Sequence, residues 1–256
     1  MTHDPRAVLS RPAPPPDLVL TYGQSPEHIV DVHLPPGDGV PAPLVVVLHG
    51  GFWRDSVDRV YTRSLADALR RDGYAVATPE YRRTPAARWP EIRADIEAVR
   101  ATLPSLIADA VPGRVEAGPY RLLGHSAGGH LALWWGLTAP RTVDRVVALA
   151  PVADLASAYA DDLDEGAVVA LLGGSPDDRP EEFADADLTS RLHAAEPPIV
   201  ILHGDEDQRV PIEHSRGLGV PTLLHELVGV EHFALVDPLT PAWSVVRDAL
   251  AAPAKA

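Results

Sequence analysis

The stretch Tyr120–His130, YRLLGHSAGGH, constrains the fold of this chain more than any other. Its centre, Gly124-His125-Ser126-Ala127-Gly128, fits G-x-S-x-G, with apolar Leu122 and Leu123 before it and a helix-compatible run, HLALWWGLTA, containing its last His and continuing beyond. Strand, sharp turn and helix in that order are the setting in which the pattern carries chemistry. The Ser then occupies a strained backbone conformation and its Oγ projects from the end of the strand. Small residues are needed two before and two after it, because strand and helix pass too closely there for a Cβ. A tight turn with an inert Ser would satisfy the same pattern, so the remaining sequence has to decide.

On both sides of this stretch, strand-like runs alternate with helical patterns. LVLTYG and HIVDVHLP read as an antiparallel pair at a sheet edge, joined by the turn residues Gly23-Gln24-Ser25-Pro26. LVVVLHGG is a continuous β-branched run that suits a strand buried on both faces. Val57 to Arg71 reads as a helix with Val60, Leu65 and Leu69 on one face. YAVATPEYR is the next strand, and WPEIRADIEAVRATL a helix with Pro90 in its first turn. Further strands fall at VDRVVALAPVAD, PPIVILHGDED and PTLLHELVG, with helices at VPIEHSRGL and TPAWSVVRDALAA. The alternation predicts one α/β domain over residues 1–256, a mostly parallel doubly wound sheet of about eight strands. Residues 1–17 are polar and Pro-rich and read as an extended, poorly ordered lead-in. Residues 154–195 are acidic and punctuated by Gly and Pro, as in a small cap inserted over the sheet.

Composition narrows the partners. A formal net charge of -14 argues against nucleic acid or an anionic membrane, since phosphate binding needs a basic surface. The absence of Cys removes disulfides, thiolate metal sites and a Cys nucleophile. No run approaches the roughly 18 apolar residues of a membrane span, and the first residues lack the apolar core of a secretory signal. The expectation is a cytoplasmic protein acting on a small molecule, with no cofactor and no metal. The acidic run Asp161-Asp162-Leu163-Asp164-Glu165 reads as solvated surface rather than a cation site.

In doubly wound sheets the chemistry sits at the carboxyl ends of the strands. His49, Ser126, Asp207 and His232 all fall just after predicted strands. A Ser hydroxyl is a poor nucleophile until a base takes its proton, and that base needs a carboxylate to hold its tautomer. His232, after the last predicted strand, is the best-placed base. His225 lies inside a strand, His203 precedes the acid loop, and His130 is one turn into the helix after Ser126. His125 is expected to pack inward. For the acid, the residues leave Asp205, Glu206 and Asp207 open. Ala127, at a helix N-terminus directly after Ser126, offers an N–H to an oxyanion.

Together HGGFW, GHSAGGHLAL, HGDEDQRVP and the late EHF resemble the α/β-hydrolase superfamily, over essentially Leu44 to the C-terminus. The order Ser, acid, His is that of this superfamily. The resemblance implies Asp207 as the catalytic acid, leaving Asp205 to bond its loop and Glu206 to face solvent. By resemblance to esterases with an H-G-G-G loop, the N–H groups of Gly51 and Phe52 join that of Ala127 in an oxyanion hole. Phe52 departs from that pattern, and its ring narrows the pocket. His49 and Glu80 are given structural roles. Trp53 is the candidate for the substrate pocket, with core packing as the alternative.

Within the superfamily the motifs look most like the small carboxylesterase and kynurenine formamidase (arylformamidase) branch. The leading expectation is a serine hydrolase of small carboxylic esters working through an acyl-enzyme. The alternatives are an arylformamidase, an exopeptidase, and a non-catalytic binding protein on a hydrolase fold. With residues 154–195 as a roof and Phe52 and Trp53 crowding the loop, the pocket is expected to favour short acyl groups.

Overall fold

The computed structural model describes residues 4–37, 39–220 and 222–252. β1 (Leu18–Thr21) and β2 (Ile29–His33) are antiparallel, and β2 pairs antiparallel with β4 (Ala75–Pro79). β3 (Leu44–Leu48), β5 (Tyr120–His125), β6 (Val143–Leu149), β7 (Ile199–Gly204) and β8 (Leu224–Leu227) continue the sheet as parallel neighbours. The order is β1-β2-β4-β3-β5-β6-β7-β8, the mostly parallel, doubly wound arrangement expected from the sequence.

Burial on both faces explains the unbroken apolar runs. Val45 and Val47 point into one hydrophobic cluster with α1 (Arg63–Arg71) and α8 (Ala242–Ala251). Leu44, Val46 and Leu48 point into the other, with α2 (Trp89–Ala110) and α3 (Ala127–Thr138). Strand alternation therefore sorts one strand's side chains between two helical layers. Among the described residues no helix is long and apolar enough to cross a membrane.

Three local expectations are corrected. The helix expected from Val57 begins at Arg63, after a 3-10 turn over Arg59–Thr62 that buries Tyr61 and leaves Val60 exposed. Asp58 caps the Val60 N–H, and the Arg59 guanidinium turns inward onto Asp31, which moves the buried stripe by one residue. The helix expected to stop at Leu103 runs on to Ala110, because Ile107 continues its buried face past Pro104.

The lead-in is the third. Pro5–Ser10 form a 3-10 turn, with Val8 only 1% exposed among residues of the α1 and α8 layer. Arg11 makes a two-pronged ion pair with Asp237. One buried apolar side chain and one charge pair thus help dock a segment that composition alone reads as loose. Residues 1–3 lie outside the described residues.

The 154–195 segment carries the short helices α4 (Leu155–Ala160), α5 (Ala167–Leu172) and α6 (Pro180–Ala186). It covers α2 and α3, where Trp89 Nε1–H donates to Asp185 at 2.7 Å and His130 Nε2–H to the Ala186 carbonyl at 2.8 Å. After β3 the chain winds outward to β4, then returns through α2 to the other side of β3 as β5. This reversal opens a crevice at the carboxyl ends of β3 and β5, where such sheets bind ligands.

Candidate active site

Ser126 follows the last residue of β5 and caps α3 with φ 58° and ψ −121°. That conformation costs an L-residue about 1–3 kcal/mol and persists only where the surroundings enforce it. Here the Ser126 N–H donates to the Leu149 carbonyl at 2.8 Å, and the Ser126 carbonyl accepts from the His130 N–H at 3.2 Å. The flanking glycines are steric necessities. A Cβ on Gly124 would lie 2.1 Å from the Gly128 carbonyl oxygen, and one on Gly128 would lie 2.1 Å from that of Leu48.

Asp207 and His232 meet across the loops that follow β7 and β8. His232 Nδ1–H donates to Asp207 Oδ2 at 2.5 Å, and the opposite oxygen, Oδ1, accepts from the N–H groups of Arg209 and Val210 at 2.8 and 2.9 Å. Burial pushes the Asp207 carboxyl up. His203 and His232, with the Val210 N–H, outweigh that and hold it well below the usual carboxylate range. Asp205 is exposed and accepts from the Gly229 N–H at 2.7 Å, while Glu206 faces solvent.

Between β3 and α1 the backbone is left-handed at three consecutive residues: Gly51 (φ 114°), Phe52 (φ 50°) and Trp53 (φ 57°). One carboxylate pins both ends of this loop. Glu80 accepts from His49 Nε2 at 2.8 Å through Oε1 and from the Arg59 N–H at 3.0 Å through Oε2. Burial raises the Glu80 carboxyl, but His49 and Arg83 beside it pull it down to about 2. His49 stacks on Tyr81, in keeping with the anchoring role expected of it. Among the described residues the N–H groups of Phe52 and Ala127 have no hydrogen-bond acceptor.

A chain of buried hydrogen bonds runs beneath the crevice. Tyr61 Oη accepts from the Gly50 N–H at 2.8 Å and contacts His125 Nδ1 at 3.1 Å, and His125 Nε2 faces the His232 carbonyl at 3.1 Å. A carbonyl only accepts, so His125 carries its proton on Nε2 and Tyr61 donates to Nδ1. Burial and the neighbouring His232 hold the His125 imidazole neutral, its pKa well below the ordinary value.

These parts line a half-open cavity of about 210 Å³, bounded by Gly51, Phe52, Tyr61, His125, Ser126 and His232, with Val57, Arg209 and Phe233 and, from the N-terminal turn, Arg6 and Leu9. Ser126 and His232 thus open onto one space. Trp53 is not brought to it: its side chain is fully buried and packs edge-on against His130, its ring centroid 5.4 Å away. The left-handed turn that presents Phe52 sends Trp53 the other way, into the core. Nor does any residue of 154–195 line the cavity, so the expected roof comes from the N-terminal turn instead. The segment reaches toward the site through the end of its acidic run: Asp164 pairs with Arg54 at 2.7 Å and Arg209 at 3.0 Å, and the Glu165 carbonyl accepts from Arg54 at 3.1 Å.

Sequence reasoning missed Arg6, Leu9, Val57, Tyr61, Arg209 and Phe233 as cavity walls. Arg209 and Phe233 were within reach, each lying one or two residues from a candidate. The others sit in short turns without a readable period.

The BD-FAE family model matches residues 30–220 of the chain. Esterase LipC of Mycobacterium tuberculosis is 26% identical over 221 residues, 77% of this chain and 52% of that protein. The chain spans about half the length of the curated relatives it matches. Among solved structures, a truncated form of a carbohydrate esterase from gut microbiota superposes with a TM-score of 0.78 at 20% identity, covering 92% of this chain and 97% of that one. Esterase B from Lactobacillus rhamnosis does so with a TM-score of 0.74 at 19% identity, covering 95% and 87%. These structural likenesses show the fold, which is that of the α/β-hydrolases.

Proposed function

The chain belongs to the BD-FAE family, and from that premise we propose that it is a serine hydrolase of small carboxylic esters, with Ser126, His232 and Asp207 as its triad. The observation that carries this reading is that His232, paired with Asp207, lines the same cavity as Ser126, and that the N–H groups of Phe52, in the cavity wall, and of Ala127, next to Ser126 in the chain, have no acceptor among the described residues. The names of the curated relatives, which are esterases, favour an ester over a formamide.

In this mechanism His232 takes the Ser126 Oγ proton as the oxygen attacks the ester carbonyl. Asp207 holds the Nδ1–H and stabilises the imidazolium that forms. The carbonyl oxygen becomes an oxyanion in a hole built from the N–H groups of Gly51, Phe52 and Ala127, each such donor being worth about 10²–10³ in rate. Collapse of the tetrahedral intermediate breaks the bond to the leaving alcohol, which receives the proton from His232. Water, deprotonated by His232, then attacks the acyl-enzyme and frees the acid and Ser126.

A fluorophosphonate probe followed by peptide mass spectrometry tests the assignment. Labelling of Ser126, together with a loss of about 10⁴–10⁶ in kcat in Ser126→Ala, is the expected result. Labelling elsewhere, or an active Ala variant, overturns it. A matched aryl acetate and aryl formamide test the substrate class. The acetate should be favoured by several orders of magnitude, and near-equal rates would replace the ester reading by an arylformamidase.

A further inference from the structure

Every lining residue of the cavity except two comes from the carboxyl ends of the strands and the segments that follow them. The exceptions, Arg6 and Leu9, belong to the turn Pro5–Ser10, which precedes the sheet altogether. We propose that this turn is a strap that sets the largest substrate group the site accepts, with Leu9 as the limiting side chain; the inference rests on the ester hydrolase reading above.

The strap is held at two points. Between the lining residues, Val8 turns inward and is buried among residues of the α1 and α8 layer. Beyond them, Arg11 grips Asp237, the residue that ends the 3-10 turn His232–Val236. The segment that closes the cavity is thereby tied to the turn that carries the base. Leu9 is itself 36% exposed, so it stands between cavity and solvent instead of being buried in the core. Shortening it opens the wall without hollowing the hydrophobic layer beneath.

Size and polarity define the substrate class. A dry cavity of about 150 Å³ holds a benzene ring, and the space here is about 210 Å³. Phe52, Val57, Phe233 and Leu9 make its wall largely apolar. The group held between these walls is therefore an unbranched aliphatic chain or a single ring of about phenyl size. A longer group that runs toward the strap has to displace packed side chains or the strap itself.

The test compares kcat/KM for p-nitrophenyl octanoate and acetate, and for octyl and ethyl acetate, in the 256-residue chain and its Leu9→Ala, Leu9→Trp and Arg6→Ala variants. The two series cover the acyl and alcohol sides of the scissile bond. In the series that meets the strap, Leu9→Ala should raise the long-to-short ratio about tenfold and Leu9→Trp should lower it by a similar factor, the lower end of what one methylene is worth in an apolar pocket. Arg6→Ala, on the exposed side of the same wall, should raise it less. Ratios within twofold of the parent for all variants in both series, with Ser126 still labelled by the fluorophosphonate, overturn the strap and leave the hydrolase reading standing. Failure of the parent to hydrolyse any ester or to label at Ser126 overturns the hydrolase reading, and this inference with it.

Discussion

Asp207 Oδ2 lies 2.5 Å from His232 Nδ1, while its other oxygen accepts two backbone N–H groups. The carboxylate is thus held by its own loop as well as by the imidazole, and the pairing engages Nδ1 of His232, leaving Nε2 for the cavity. Asp207→Asn should lower kcat by about 10³–10⁴, because an amide can select the wrong tautomer and cannot stabilise the imidazolium. Asp205→Asn, which weakens only the bond to Gly229, should cost about 1 kcal/mol of stability and little activity. Steady-state kinetics with urea unfolding separates the two; the reverse pattern would move the proposed catalytic role from Asp207 to Asp205.

The glycines around Ser126 lend themselves to a steric prediction. Gly124→Ala and Gly128→Ala each drive a Cβ into backbone at 2.1 Å, so each should destabilise by more than about 3 kcal/mol. A Cβ on Gly118 would meet nothing within 4 Å, making Gly118→Ala a near-neutral control. Equal urea midpoints for Gly124→Ala and the control would contradict the close approach of strand and helix.

Tyr61→Phe removes the oxygen that joins Gly50 to His125. A buried N–H left without a partner costs about 1–3 kcal/mol. Because Gly50 leads directly into Gly51 and Phe52, the proposed oxyanion donors, kcat should fall about tenfold, the loss expected when a donor is misplaced rather than removed. KM should change little. A full-rate Tyr61→Phe enzyme would show that the loop holds its shape without this link.

The buried histidines predict an acid limb in stability. Burial lowers His130 to about 4, despite the opposing bond to the Ala186 carbonyl. In the unfolded chain a His titrates at about 6.5. Between those values the unfolded state binds the extra proton, so stability must fall as pH drops from about 6.5 to about 4 and level off below. This one group accounts for about 3 kcal/mol of that loss. His130→Gln keeps a donor for Ala186 without the titration, so its Tm against pH should be flatter across this window. An unchanged slope would assign the limb to other groups.

How much of this was legible in the chain itself follows from the range of each signal. Strand, turn and helix around Ser126 could be read locally, because G-x-S-x-G reports a steric conflict among residues a few positions apart. The apolar alternation placed the eight-strand sheet, and with it the rim on which Ser126, Asp207 and His232 stand. The choice of Asp207 over Asp205 came from resemblance, and only the structure gives it a geometry. Of the cavity walls, only those next to a motif, such as Phe52, were legible; the ones contributed by distant turns were not. Hydrophobic period tells which face of an element is buried, not which distant element covers it, and the 3-10 turns holding Leu9 and Tyr61 are too short to have a period. Glu80 bridging His49 and Arg59, Trp53 turning into the core, and Arg11 reaching Asp237 all join residues far apart in the chain. Such contacts arise when the sheet brings its loops to one edge, so they were decided by the tertiary structure alone.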